Sequence, residues 1–180
     1  PYSRHDAEGN YAEGGEGRSN YQLPILVSGS TDNPSNVTVH VAHDAIVGNE
    51  CIIGNGTKIA GEVTIDDYSI VSANVLMHQF CHIGGFGMIQ GGARFSKDIP
   101  PYIIAGRDPI RYSGINIIGL RRKGFSNETI DAIHDAYRII YQQGLNRQEA
   151  LKKIEQEIPI SDEIRYIINF IHNSKRGIIA

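Results

Sequence analysis

The chain has 180 residues, a formal charge of −3 and 41% hydrophobic residues, enough for one domain with a buried core and at most an appendage. Residues 1–36 carry two basic and five acidic side chains, residues 37–100 three and six, and residues 101–180 twelve and nine, so only the last part is positive and the charge makes no whole-protein case for nucleic-acid binding. Two cysteines without a CxxC, no apolar run of membrane length and no charged-then-apolar leader predict a cytoplasmic chain with no transmembrane segment.

The chain opens at Pro1, which predicts a processed or incomplete polypeptide. Residues 1–36 begin "PYSRHDAEGNYAEGGEGRSN", polar and glycine-rich, with one short apolar run, "LPILV" at 23–27. This segment reads as irregular or disordered.

From Val41 a six-residue period takes over. Stepping by six gives Val47, Ile53, Ile59, Ile65, Val71, Met77, Ile83, Ile89 and Phe95, all large and apolar. Four after each anchor stands a mostly small residue: Ala45, Cys51, Thr57, Val63, Ser69, Val75, Cys81, Gly87 and Ala93. The residue directly after each anchor is usually small too, which suits tight corners. Neither a helix (period 3.6) nor a half-buried strand (period 2) produces this pattern. A parallel β-helix of three hexads per coil does, rising about 4.8 Å per coil. Residues 37–100 therefore form β-helix coils, about three and a third of them. Cys51 and Cys81 fall on different corners and read as packed thiols.

Residues 101–125 are rich in proline and glycine and read as an extended connector. Residues 126–180 read as three helices. Ser126 caps the first, whose apolar face holds Ile130, Ile133, Tyr137, Ile140 and Tyr141, and Gly144 ends it. "NRQE" at 146–149 forms a capping-box start for the second, which Pro159 limits, and Ser161 begins the third.

At the head of the solenoid, "VTVHVAHDAIVGNE" sets His40, His43 and Asp44 together. Three readings stand at this level: metal ligands, a general base with its orienting carboxylate, or polar decoration of a strand. His82 reads as a solvated strand residue.

The phrases "HVAHDAIVGN", "IAGEVTIDD", "LMHQFCHIGG", "SKDIPPYIIAG" and "GINIIGLRRKGFS" resemble, in this order, the acyl-[acyl-carrier-protein]–UDP-N-acetylglucosamine O-acyltransferase family from about Val37 to the C-terminus. The resemblance implies a single-stranded left-handed β-helix, the handedness coming from the family and not from the period, followed by a three-helix domain. It implies a cytoplasmic homotrimer with sites between subunits and no cofactor. The implied reaction transfers a 3-hydroxyacyl group from acyl-carrier protein to the 3-hydroxyl of UDP-N-acetylglucosamine, the first step of lipid A biosynthesis.

By the same resemblance His43 is the general base, Asp44 orients it, and the Gly61 N–H faces the oxyanion. His40, Glu62, His78 and Gln79 line the substrate cleft. Asn116, Arg122 and Lys123 meet the nucleotide, Arg121 to Lys123 also suit an acidic carrier protein, and Gly91 limits acyl-chain length, its missing side chain implying a long chain. Glu62 stands where better-known members have histidine, and Ile118 where they have glutamate. Residues 1–36 match none of the family's N-terminal coils, which implies a remnant, a fragment, or a shifted reading frame upstream of about Val37. Two rivals accompany this reading. One is an inactive truncated chain forming a structural trimer. The other is a zinc enzyme resembling γ-class carbonic anhydrase, with His40, His43, His78 and His82 as its ligand pool.

Overall fold

The computed structural model describes residues 26–28 and 39–180. Residues 40–106 form a left-handed parallel β-helix with three faces, and strands on one face stack coil upon coil. The first face holds β2 (His40–Val41), β5 (Lys58–Ile59), β8 (Leu76–Met77) and β11 (Arg94–Phe95). The second holds β3 (Ile46–Val47), β6 (Thr64–Ile65) and β9 (His82–Ile83). The third holds β4 (Ile52–Gly54), β7 (Ile70–Val71) and β10 (Met88–Ile89), flanked by β1 (Leu26–Ser28) below and by β12 (Ile103–Gly106) and β13 (Arg111–Ile115) above.

Register follows the period. Val41 pairs with Ile59, Ile59 with Met77, and Met77 with Phe95, each 18 residues on. Every anchor from Val47 to Phe95 is buried, and Val41, at the lower edge, is half-buried. The small column is buried as well, from Ala45 to Ala93. Its two hydroxyls find backbone partners, Thr57 Oγ1 donating to Ser72 O at 2.9 Å and Ser69 Oγ to Asp66 O at 2.8 Å, so neither carries an unmet desolvation cost.

The corners differ from the sequence expectation. Small residues after the anchors serve close approach between coils: a Cβ at Gly54 would lie 2.3 Å from the Ala73 backbone nitrogen. The turning itself happens three places after each anchor, where φ is positive at Asp44, Glu50, Glu62, Tyr68, Asn74, Phe80 and Phe86. Only Gly56 and Gly92 in this series are glycines. The left-handed conformation costs a non-glycine residue about 1–2 kcal/mol. A repeated hydrogen bond between coils offsets it: Tyr68 N donates to Asn49 O at 2.9 Å, and Asn74 N to Asn55 O at 2.9 Å.

The solenoid also outruns its clock. Past Phe95 the next coil shortens by two residues, so Ile99 bridges to Ile83 and Ala105 pairs with Ile89, both 16 residues on. Ile99 and Ala105 are fully buried and continue the anchors beyond residue 100. The extended connector expected at 101–125 carries the antiparallel pair β12–β13 and a short helix, α1 (Ile117–Arg122). Below, Leu26–Ser28 lies inside the stretch expected to be irregular and pairs with β4, Val27 to Ile53. The rest of residues 1–36 lies outside the described residues.

Three further helices follow: α2 (Asn127–Gln142), α3 (Arg147–Glu157) and α4 (Asp162–Asn173). The caps are those the sequence predicts. Ser126 accepts from Thr129 N, Ser161 accepts from Ile164 N, and Asn146 with Glu149 forms a complete capping box. Tyr137 Oη donates to Pro101 O at 2.6 Å, and Ser174 Oγ donates to the buried Asp98 at 2.6 Å, which also accepts from His82 N. The helices are thus bonded onto the upper coils. Among the described residues no helix is long and apolar enough to cross a membrane.

Candidate active site at the corner of His43

His43 and Asp44 occupy the corner between the first and second faces. The left-handed backbone at Asp44 (φ 56°) accompanies a bond from its Oδ2 to His43 Nδ1 at 2.9 Å. A carboxylate oxygen accepts, so Nδ1 is the donor in this bond, and in the neutral ring the lone pair then lies on Nε2. That is the tautomer a general base needs.

One coil later at the same corner stands Gly61. A Cβ there would lie 2.7 Å from both Nε2 and Cε1 of His43, so the imidazole rests over the glycine and keeps this position only while residue 61 has no side chain. Glu62 N donates to His43 O at 3.1 Å, fastening the two coils at this point. His78 and Gln79 follow one coil above, both exposed, with His78 Nδ1 at 3.1 Å from Gln79 O. His40, exposed on β2, lies three residues before His43 and pairs in register with Lys58. The corner therefore collects His40, His43, Asp44, Gly61, Glu62, His78 and Gln79.

The remaining candidates lie elsewhere on the prism. Gly91 is at the corner between the third and first faces, exposed, where a Cβ would meet Ala73 O at 3.2 Å. Asn116 and Lys123 cap the two ends of α1 and Arg122 is its last residue, near the corner between the second and third faces. Asn116 is buried, accepting from Gly119 N at 3.1 Å and donating to Phe86 O at 3.0 Å. Its side chain thus caps α1 and fixes that helix to the solenoid. Arg122 is exposed. Lys123 Nζ sits 2.6 Å from Glu50 Oε2 and 4.2 Å above the Tyr68 ring. Glu50 and Tyr68 escaped the sequence reading, although both occupy the third place after an anchor, one coil apart.

His82 is not the solvated residue the sequence suggested. Its Nε2 is 2.8 Å from Asp66 Oδ2, its ring packs on Phe170 at 4.5 Å, and Tyr166 Oη donates to the same Asp66 oxygen at 2.5 Å while accepting from Gly85 N. These groups clamp α4 to the second face. A cavity of about 810 Å³ opens beside them, lined by Ile46, Asp67, Tyr68, Phe86, Tyr102 and Tyr166; His43 does not line it. Among the described residues no group of three or more histidine, cysteine, aspartate or glutamate side chains is placed to hold a metal ion. Cys51 and Cys81 are buried and unbridged, and burial pushes each thiol up to about 11.

A coil-stacked solenoid with a histidine set against a glycine corner, closed by a small helical domain, places the chain among the hexapeptide-repeat β-helix proteins. Comparisons narrow this. A family model described as UDP-N-acetylglucosamine O-acyltransferase, domain 2, matches residues 98–179, and a model for a domain of unknown function matches residues 5–49. The acyl-[acyl-carrier-protein]–UDP-N-acetylglucosamine O-acyltransferase of Aliivibrio salmonicida is 42% identical over 148 residues, covering 82% of this chain and 56% of its own length. That of Pseudomonas entomophila is 39% identical over 139 residues, covering 77% and 54%. The crystal structure of the Bacteroides fragilis UDP-N-acetylglucosamine acyltransferase superposes with TM-score 0.78 at 72% identity, over 79% of this chain and 56% of that one. The chain belongs to the UDP-N-acetylglucosamine O-acyltransferase family, and it spans about half the length of the curated relatives it matches.

Proposed function

We propose that this chain transfers a 3-hydroxyacyl group from acyl-carrier protein to the 3-hydroxyl of UDP-N-acetylglucosamine, the opening step of lipid A biosynthesis, in the cytoplasm. The observation that carries the reading is the imidazole of His43, held by Asp44 through Nδ1 and set with Nε2 against Gly61. The sugar hydroxyl gives its proton to Nε2 as its oxygen attacks the thioester carbonyl. Asp44 stabilises the imidazolium that forms, and the Gly61 N–H meets the oxyanion. Collapse of the tetrahedral intermediate breaks the carbon–sulfur bond, and the imidazolium returns the proton to the leaving thiolate. His40, Glu62, His78 and Gln79 orient the sugar and acyl ends, and Arg122 and Lys123 meet the diphosphate. Asn116 acts through its cap, by holding α1 in place.

Within one chain the His43 corner and the Lys123 corner belong to different edges of the prism. A homotrimer resolves this by bringing the base of one subunit to the cations of the next, which supports reading the assembly as threefold. A second reading is a chain that trimerises without transferring an acyl group. Turnover of acyl-carrier-protein thioester with UDP-N-acetylglucosamine separates the two. His43→Ala is expected to abolish transfer with the trimer intact by sedimentation, and an unchanged rate would sink the assignment.

A further inference from the structure

Lys123 carries, on the reading above, the phosphates of the nucleotide sugar, and the structure already sets an anion on it. Glu50 and Tyr68 occupy equivalent positions in successive coils of one corner, both with positive φ. Glu50 Oε2 lies 2.6 Å from the ammonium and the Tyr68 ring centroid lies 4.2 Å from it. Tyr68 in turn stacks on Phe86 at 4.8 Å, and the Phe86 carbonyl receives the Asn116 cap of α1, the helix that ends at Lys123. Lysine, ring and helix are thus fixed to a single column of side chains.

We propose that Glu50 is a placeholder anion, a specificity residue whose carboxylate occupies the phosphate position on Lys123 and is displaced when a diphosphate binds. Tyr68 is the positioning residue that keeps the ammonium in place during the exchange. Both partners of the ion pair are close to half exposed, 43% for Lys123 and 47% for Glu50, so the pair is weak and open to competition. A diphosphate brings more charge and more acceptor oxygens than one carboxylate, and the exposed Arg122 beside Lys123 has a second fork of donors for it. Cation–π attraction to Tyr68 survives the loss of Glu50, so the lysine stays where the phosphate arrives.

The test is calorimetric binding of UDP and of inorganic pyrophosphate to the full chain and to Glu50→Gln, which keeps the shape and removes the charge. Affinity for both probes is expected to rise about two- to fivefold, the size of an exposed ion pair. The gain should vanish in a Lys123→Met background and shrink at high salt. The KM for UDP-N-acetylglucosamine should fall with kcat unchanged. Equal or weaker binding of both probes by Glu50→Gln, where the parent chain binds them, overturns the role of Glu50 alone. A gain for pyrophosphate in a chain that never saturates with UDP sustains Glu50 and counts against the nucleotide-sugar reading. Failure of parent and variant to bind either probe overturns both.

Discussion

The imidazole of His43 and the backbone of Gly61 are in contact across two coils, close enough that a Cβ at residue 61 would lie 2.7 Å from Nε2. Residues 18 apart in sequence become one site because the coil repeats every 18.

This contact separates stability from activity at Gly61. Gly61→Ala would push on the tip of an exposed side chain, which swings away cheaply, so the melting temperature should move by no more than a few degrees. His43 would then leave its place against the Gly61 backbone, where the proposed mechanism needs it. Acyl transfer should fall by about 10²-fold, since a misplacement near 1 Å costs that much. A normal rate would show that the ring position is not used.

Asp44→Asn tests the tautomer. An amide can donate to Nδ1, which moves the imidazole proton to Nε2 and leaves no lone pair for the sugar hydroxyl. The rate should drop by about 10²–10⁴-fold with UDP affinity unchanged, and titration calorimetry beside initial rates reads both.

Tyr166→Phe probes the clamp between α4 and the second face. The hydroxyl accepts from Gly85 N at 2.8 Å and donates to Asp66, so its loss leaves a backbone donor and a carboxylate oxygen short of partners. Destabilisation of about 1–3 kcal/mol should appear in urea unfolding.

Gly91→Met should shorten the preferred acyl chain. The glycine is exposed, and a Cβ would already approach Ala73 O at 3.2 Å, so a long side chain must project outward from the corner. Competition between acyl donors of different length measures the shift, and an unaltered profile would count against the role of Gly91.

The thiols predict a pH effect. Burial raises Cys51 and Cys81 from 9.0 to about 11, so the folded state holds these protons more tightly than the unfolded one. Stability from this source is complete below pH 9 and declines as pH rises toward 11. At pH 8 Ellman's reagent should react slowly with the native chain and quickly after unfolding.

Much of this was legible in the sequence, and for local reasons. An anchor every six residues reports which side chains face inward, so the buried column from Val47 to Phe95 could be read before any coordinate. Ser126, Asn146 and Ser161 cap helices through bonds spanning three residues, which sequence spacing specifies. The phrase "HVAHD" set His43 and Asp44 side by side as candidates.

Other features needed the folded chain. The two-residue shortening after Phe95 appears only once Ile99 and Ala105 are seen to fill the next two anchors. His82 looked solvated because its partners, Asp66 and Phe170, are far away in sequence. The cap that Asn116 makes on α1 and its bond to Phe86 O, 30 residues away, were likewise not legible in the sequence. By itself the sequence determined the period, the buried columns and the helix starts, since each rests on residues near one another along the chain. Tertiary structure alone decided which residues share a corner, that Gly61 lies against the His43 ring, that His43 bonds Asp44, and that Lys123 meets Glu50. Those contacts arise from coil stacking and from the docking of helices on the solenoid, where hydrogen bonds and packing join residues that no local pattern connects.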